Sequence, residues 1–103
     1  MVIDIIKYKL AAGITEDHLR NSATDIIYTW MSKQPGFLGW TINSTDNKDN
    51  FIDFVYWTNR ESADLASKNM KDIPPDHSWL KCYEMSSVES QKVDTLFAHM
   101  TDA

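Results

Sequence analysis

Seven residues in the middle of the chain, Phe51 to Trp57 (FIDFVYW), restrict the fold more than any other segment. Aromatic and β-branched residues in such a run, with the polar turn Ser44 to Asn50 before it, read as a β-strand. A strand sends alternate side chains to opposite faces, so Phe51, Asp53, Val55 and Trp57 share one face and Ile52, Phe54 and Tyr56 the other. Apart from one carboxylate, both faces are apolar. The first strand, Val2 to Leu10, behaves alike, with Ile3 and Ile5 opposed to Ile6, Tyr8 and Leu10. Strands of this kind belong in a sheet that is covered on both sides.

The rest of the chain supplies little cover. Thr15 is placed to cap a helix with Glu16 and Asp17 in its first turn, where the helix dipole favours negative charge. Leu19, Ala23, Ile26, Ile27 and Trp30 follow at helical spacing, and Pro35-Gly36 stops the helix. Phe37 to Asn43 reads as a second strand, with Leu38, Trp40 and Ile42 on one face and Phe37 and Thr41 on the other. Thr58 and Glu61 match a capping box that opens a second helix, carrying Ala63, Ala66 and Met70 and ended by Ile73-Pro74-Pro75. Asp76 is placed to cap a short third helix with Trp79, Leu80 and Tyr83. Val88 to Phe97 reads as a last strand, and His99 to Ala103 as a frayed end.

The expected order is therefore a ferredoxin-like β-α-β-β-α-β, an α+β fold with an antiparallel four-stranded sheet, both helices on one face and the first and third strands central. The 103 residues suit one domain over positions 1–103, with 98–103 a flexible tail. Two helices cover one face of the sheet, which leaves apolar area on the order of several hundred Å² on the other. A second copy related by a two-fold axis is the simplest cover, so a homodimer packed through the open sheet face is expected. The alternative is a monomer in which the third helix folds across that face.

Charge and cysteine usage narrow the partners. A net charge of −5 and an isoelectric point near 4.9 argue against nucleic acid, whose binders carry basic patches. No apolar run approaches the ~18 residues of a membrane span, and Asp4 and Lys7 interrupt the first strand too early for a signal peptide. The single cysteine, Cys82, excludes an internal disulfide framework, which fits a cytoplasmic protein. His18, His77, His99 and Cys82 do not form a metal-ligand spacing, and Asp46 to Asn50 lacks the glycine and the terminal glutamate of a calcium loop. No glycine-rich phosphate cradle exists, so neither a metal nor a cofactor is expected.

The strand leading into Gly13-Ile14-Thr15-Glu16, the Gln34-Pro35-Gly36-Phe37 turn, and Phe51 to Trp57 running into a capped helix resemble the antibiotic biosynthesis monooxygenase (ABM)-like dimeric α+β barrel superfamily, over roughly Val2 to Phe97. The resemblance implies a small-molecule pocket between sheet and helices. That fold also serves haem-degrading enzymes, decarboxylases, isomerases and proteins of no assigned activity. In its cofactorless quinone-forming monooxygenases a polar residue, often Asn, lies four positions before a Trp on the third strand. Asp53 and Trp57 stand at that spacing here. The resemblance thus implies Asp53 as general base, with its pKa raised by dry surroundings, and Trp57 as an aromatic wall with an indole N–H for the substrate. Val55, Ile6 and Tyr8 complete the implied substrate-binding set.

The chain also departs from those patterns. Ala63 stands where some such enzymes carry a helix phenol, about six positions past the Trp. Ile6 and Ser67 stand where the haem-degrading branch has its Asn and its axial His, so haem cleavage is not expected. The plainer reading makes Asp53 structural, paired with Lys7 or Lys9 across strands or hydrogen-bonded to backbone at the rim of the sheet, and makes Trp30, Trp40 and Trp57 core or interface fillers. The functional expectation is a cofactor-independent monooxygenase-like enzyme acting on a small hydrophobic or aromatic metabolite. The alternative is a non-catalytic dimer of the same fold that binds a small ligand or serves as an interaction module.

Overall fold

The computed structural model describes residues 1–101, so Asp102 and Ala103 of the expected tail lie outside it. The four strands are β1 (Val2–Lys9), β2 (Phe37–Ser44), β3 (Asn50–Trp57) and β4 (Glu89–Asp94), with helices α1 (Glu16–Thr29) and α2 (Arg60–Asn69) between them. The sheet order is β2-β3-β1-β4, all neighbours antiparallel, which puts the two most apolar strands in the centre. Burial along β3 alternates without a break, with Phe51, Asp53, Val55 and Trp57 buried and Ile52, Phe54 and Tyr56 half-buried. The buried side faces both helices: Val2, Val55 and Trp57 pack with Ile26, Trp30, Ala63 and Ala66 in one core.

The opposite face carries Ile3 and Ile5 of β1 beside Tyr56 and Phe54 of β3, and among the described residues no element covers it. The short third helix does not cross to that side. It is a single 3-10 turn, Ser78–Lys81, and its Trp79 joins the core on the helix side. Because β2 and β4 both remain edges, the sheet within one chain is open and is not a closed barrel.

Four local expectations shift by a residue or more, each for a visible reason. The α2 cap is Asn59, whose side chain accepts from the Ser62 backbone N–H at 2.8 Å. With the helix starting at Arg60, Glu61 falls at the second helical position and cannot close a box with Thr58. The Ser78–Lys81 turn is capped by His77 in place of Asp76. A bulge between Phe37 and Gly39 makes Leu38 the extra residue, so Phe37, not Leu38, shares the inner face with Trp40 and stacks edge-on against Trp57 at 5.6 Å. Leu38 is left exposed. Finally, β4 ends at Asp94, opposite Val2 at the start of β1, and Leu96 and Phe97 stand exposed past its end.

Gly13 and Gly36 both have positive φ, 81° and 80°, which disfavours any side chain. They differ in surroundings: a Cβ at Gly36 would strike the Ser62 and Thr58 side chains at the start of α2, whereas a Cβ at Gly13 would meet nothing. Gly36→Ala should therefore destabilise the fold by at least about 1 kcal/mol more than Gly13→Ala. Urea unfolding of the two variants side by side measures the difference, and equal losses would refute the close approach at Gly36.

Candidate functional site

The inner face of the sheet does not pack solidly against the helices. A cavity of about 300 Å³ lies between them, at the lower end of the range for small-molecule sites. Its floor is Ile6 of β1 with Asp53, Val55 and Trp57 of β3; α2 contributes the small side chains Ala63, Ala66 and Ser67, and Trp40, Trp79 and Tyr83 form an aromatic wall. A second hollow, of about 420 Å³, opens at the far end of the sheet among exposed charged groups such as Lys9, Glu16, Lys48, Asp49 and Glu84. It contains no buried polar group and is a solvated depression.

Asp53 is only 1% exposed. Its carboxylate is held by two donors: the Tyr8 hydroxyl gives to Oδ1 at 2.8 Å and the Trp40 indole N–H gives to Oδ2 at 3.1 Å. Burial pushes its pKa up, and the two hydrogen bonds pull the other way without cancelling it, leaving a value of about 6. The structural alternative of a pair with Lys7 or Lys9 is excluded by register. Asp53 lies opposite Ile6, with Tyr8 and Ile6 on its face, whereas Lys7 and Lys9 point to the other side and are exposed.

Four of the five residues singled out in the sequence, Asp53, Trp57, Val55 and Ile6, line this cavity. Tyr8 does not. It is 2% exposed and stands behind Asp53, so its contact is with the carboxylate. The expected use of the Trp57 indole N–H for a substrate is also corrected: that N–H donates to Asp4 Oδ2 at 3.1 Å, and Asp4 Oδ1 in turn faces the Lys92 ammonium at 3.5 Å.

Trp40, Trp79 and Tyr83 were missed as site residues because two of them come from the segment after α2, whose path the periodicity does not reveal. That path is set by several bonds. The Ser22 hydroxyl donates to the Ser78 hydroxyl at 2.9 Å, and His77 Nε2 meets Asp25 Oδ2 at 2.6 Å while its Nδ1 accepts the Trp79 backbone N–H at 3.0 Å. Both ring nitrogens of His77 are thus engaged. The rings of Trp40 and Trp79, Trp79 and Tyr83, and Tyr83 and Tyr8 then meet edge to face at 5.7, 5.8 and 4.7 Å. A repeat of aromatics around one carboxylate was the available signal: Tyr8 and Trp40 each have the register to reach Asp53 once the sheet order is known.

No protein-family model matches the chain, and no curated protein matches it. Solved structures do. The cofactor-independent oxygenase SnoaB from Streptomyces nogalater superimposes with a TM-score of 0.70 at 12% identity, covering 94% of each chain. A monooxygenase from the ActVA-Orf6 gene of Streptomyces coelicolor, in complex with nanaomycin D, gives 0.65 at 15% identity over 98% of this chain and 92% of its own. The heme-degrader MhuD from Mycobacterium tuberculosis, with two hemes in its active site, gives 0.71 at 12% identity over 97% and 100%. The chain shares the fold of these three proteins. At these identities the likeness is one of architecture, and the side chains decide what the cavity can hold. Among the described residues no histidine lines the cavity, and Ser67 spends its hydroxyl on the Ala63 carbonyl at 3.2 Å.

A raised carboxylate pKa has a thermodynamic consequence. The folded state holds the Asp53 proton up to about pH 6, whereas an unfolded chain releases it near pH 4. Between those values folding takes up a proton, so stability from this group is largest below the unfolded pKa and declines as pH rises to the folded one. The unfolding free energy of wild type minus that of Asp53→Asn should fall by about 2–3 kcal/mol from pH 4 to pH 7. Denaturant titrations at several pH values read this directly, and a flat difference would refute the raised pKa.

Proposed function

We propose that this chain is a cofactor-independent, oxygen-using enzyme of the monooxygenase kind, acting on a small hydrophobic or aromatic metabolite bound in the cavity. One observation carries the reading: a fully buried carboxylate, Asp53, faces a largely aromatic and aliphatic hollow with its pKa near 6. Such a group is mostly ionised at neutral pH, yet a stronger base than a solvated carboxylate. It can take a proton from an activated C–H or a phenol, and the flat walls of Trp57, Trp40 and Trp79 suit a ring system.

For a methylene flanked by aromatic rings the chemistry balances with dioxygen alone. Asp53 removes one C–H proton, and the resulting carbanion transfers electrons to dioxygen and combines with it to give a peroxide at the same carbon. Loss of the second C–H proton with cleavage of the O–O bond leaves one oxygen atom as a ketone and the other as water. The protein's part is to hold the ring against the indoles, keep water from the carbanion and provide the base. The identities of SnoaB and of the ActVA-Orf6 monooxygenase support this choice of chemistry over others that the fold permits.

The test is dioxygen uptake with a panel of anthrones and quinols. Uptake should rise with pH through about 6, following Asp53 ionisation, and Asp53→Asn should lower the rate constant by about a hundredfold or more. Unchanged uptake in the variant would remove Asp53 from the mechanism. No uptake with any member would favour the second reading, a ligand-binding dimer without catalysis.

The working unit we propose is a homodimer, packed through the face that carries Ile3, Ile5, Ile52, Phe54 and Tyr56. These half-buried side chains form a central apolar patch flanked by the exposed Lys7 and Lys9. A second copy of the same face would cover it. Light scattering at micromolar concentration should give twice the 11.9 kDa of one chain. Phe54→Lys, which sets a charge in the middle of the patch beside Ile5, should return the mass to that of a single chain without loss of secondary structure. A wild-type monomer would overturn the dimer.

A further inference from the structure

The buried and half-buried polar groups on the cavity wall are almost all satisfied within the protein. Asp53 accepts from Tyr8 and Trp40, the Trp57 N–H goes to Asp4, and Lys92 faces Asp4 and, at 4.0 Å, Asp64. Two donors are left over. Among the described residues the Trp30 indole N–H has no acceptor, but it is sealed from solvent. Tyr83 is different. Its oxygen accepts the Trp79 indole N–H, and among the described residues no acceptor takes its own proton, while its ring is only half-buried along the cavity.

This phenol is also held still. The segment that carries it pairs with the end of the first strand: Tyr83 bridges Leu10, the Ala11 N–H donates to the Cys82 carbonyl at 2.8 Å and the Glu84 N–H donates to the Lys9 carbonyl at 2.9 Å. Cys82 is fully buried and anchors the segment from below. The Tyr8 ring meets the Tyr83 ring edge-on at 4.7 Å, and Tyr8 is the residue that grips Asp53. The free donor and the free lone pairs of the carboxylate therefore belong to one packed cluster. A hydroxyl that already accepts a hydrogen bond is a better donor, and a donor fixed before binding loses little entropy on binding.

We propose that Tyr83 donates a hydrogen bond to an oxygen atom of the cavity's ligand, so that the site selects oxygen-bearing ring compounds over hydrocarbons of the same shape. The assignment rests on reading the cavity as a ligand site. Burial and the neighbouring Asp53 charge both push the Tyr83 pKa upward, so the phenol keeps its proton and acts as a donor rather than a base. Asp53 and Tyr83 then divide the work between them: the first accepts a proton from the ligand and the second steadies the oxygen on which charge collects.

Two probes of matched size separate this role from mere packing: anthrone, which has a ring carbonyl, and 9,10-dihydroanthracene, which has none. Equilibrium dialysis under argon prevents turnover, and far-UV circular dichroism checks the fold of each variant. Wild type should bind anthrone more tightly than the hydrocarbon. Tyr83→Phe should weaken anthrone binding by about three- to tenfold while changing hydrocarbon binding by less than about twofold. Because the Trp79 N–H also loses its acceptor in this variant, the ratio of the two affinities is the diagnostic quantity; any general loosening of the wall affects both probes. Equal effects on both probes, or none, would overturn the Tyr83 assignment and leave the cavity reading standing. Failure of wild type to bind either probe would overturn both.

Discussion

A central pair of strands that is apolar on both faces, served by only one layer of helices, is the constraint on which the rest of this structure depends. The helices can protect just one side of β1 and β3. On that side the unbroken alternation of β3 brings Phe51, Asp53, Val55 and Trp57 inward together, so a charged group enters the interior at the same pitch as its apolar neighbours. On the other side the same alternation leaves Ile52, Phe54 and Tyr56 in contact with solvent in the single chain. The cavity and the open face are thus two results of one strand pattern. A substitution that shifted the register by one residue would exchange them.

Asp53 is tolerated in the interior because its neighbours answer it. An unpartnered buried carboxylate would be protonated or would unfold the region. Here the hydroxyl of Tyr8 from the neighbouring central strand and the indole of Trp40 from the edge strand each satisfy one oxygen, at 2.8 and 3.1 Å. The arrangement keeps the group ionisable near neutrality without neutralising it through a cation. A second polar clamp, Asp4 between the Trp57 indole and the Lys92 ammonium, orients Trp57 as a wall. In both clamps an indole N–H is spent on a carboxylate. The Trp40 and Trp57 rings therefore line the cavity with no indole N–H left free.

Much of this was legible from spacing. The strand order followed from the element order and right-handed crossovers, the Thr15 cap of α1 formed as its sequence implies, and Asp53 with Val55 and Trp57 lines the cavity because residues two and four apart on a strand must share a side, as does Ile6 opposite Asp53 on β1. Illegible features were those set by one-residue choices or by distant chain. The bulge at Leu38 inverts the expected faces at the start of β2, since a bulge has no fixed signature in a short apolar run. Asn59 and Thr58 are both good caps, and packing of the Gly36 turn against Ser62 and Thr58 accompanies the choice of Asn59.

The amino-acid order alone determined the element types, the α+β architecture and the face on which the buried acid would lie, because those depend on local periodicity and on propensities that act within a few residues. Which groups would meet that acid was decided only by the folded chain. Tyr8 is separated from Asp53 by 45 positions, Ser78 from Ser22 by 56, and Tyr83 reaches the cavity only because its segment adds to the end of the first strand. Contacts of that range follow from how sheet, helices and the irregular segment after α2 pack against one another, and local spacing carries no record of that packing.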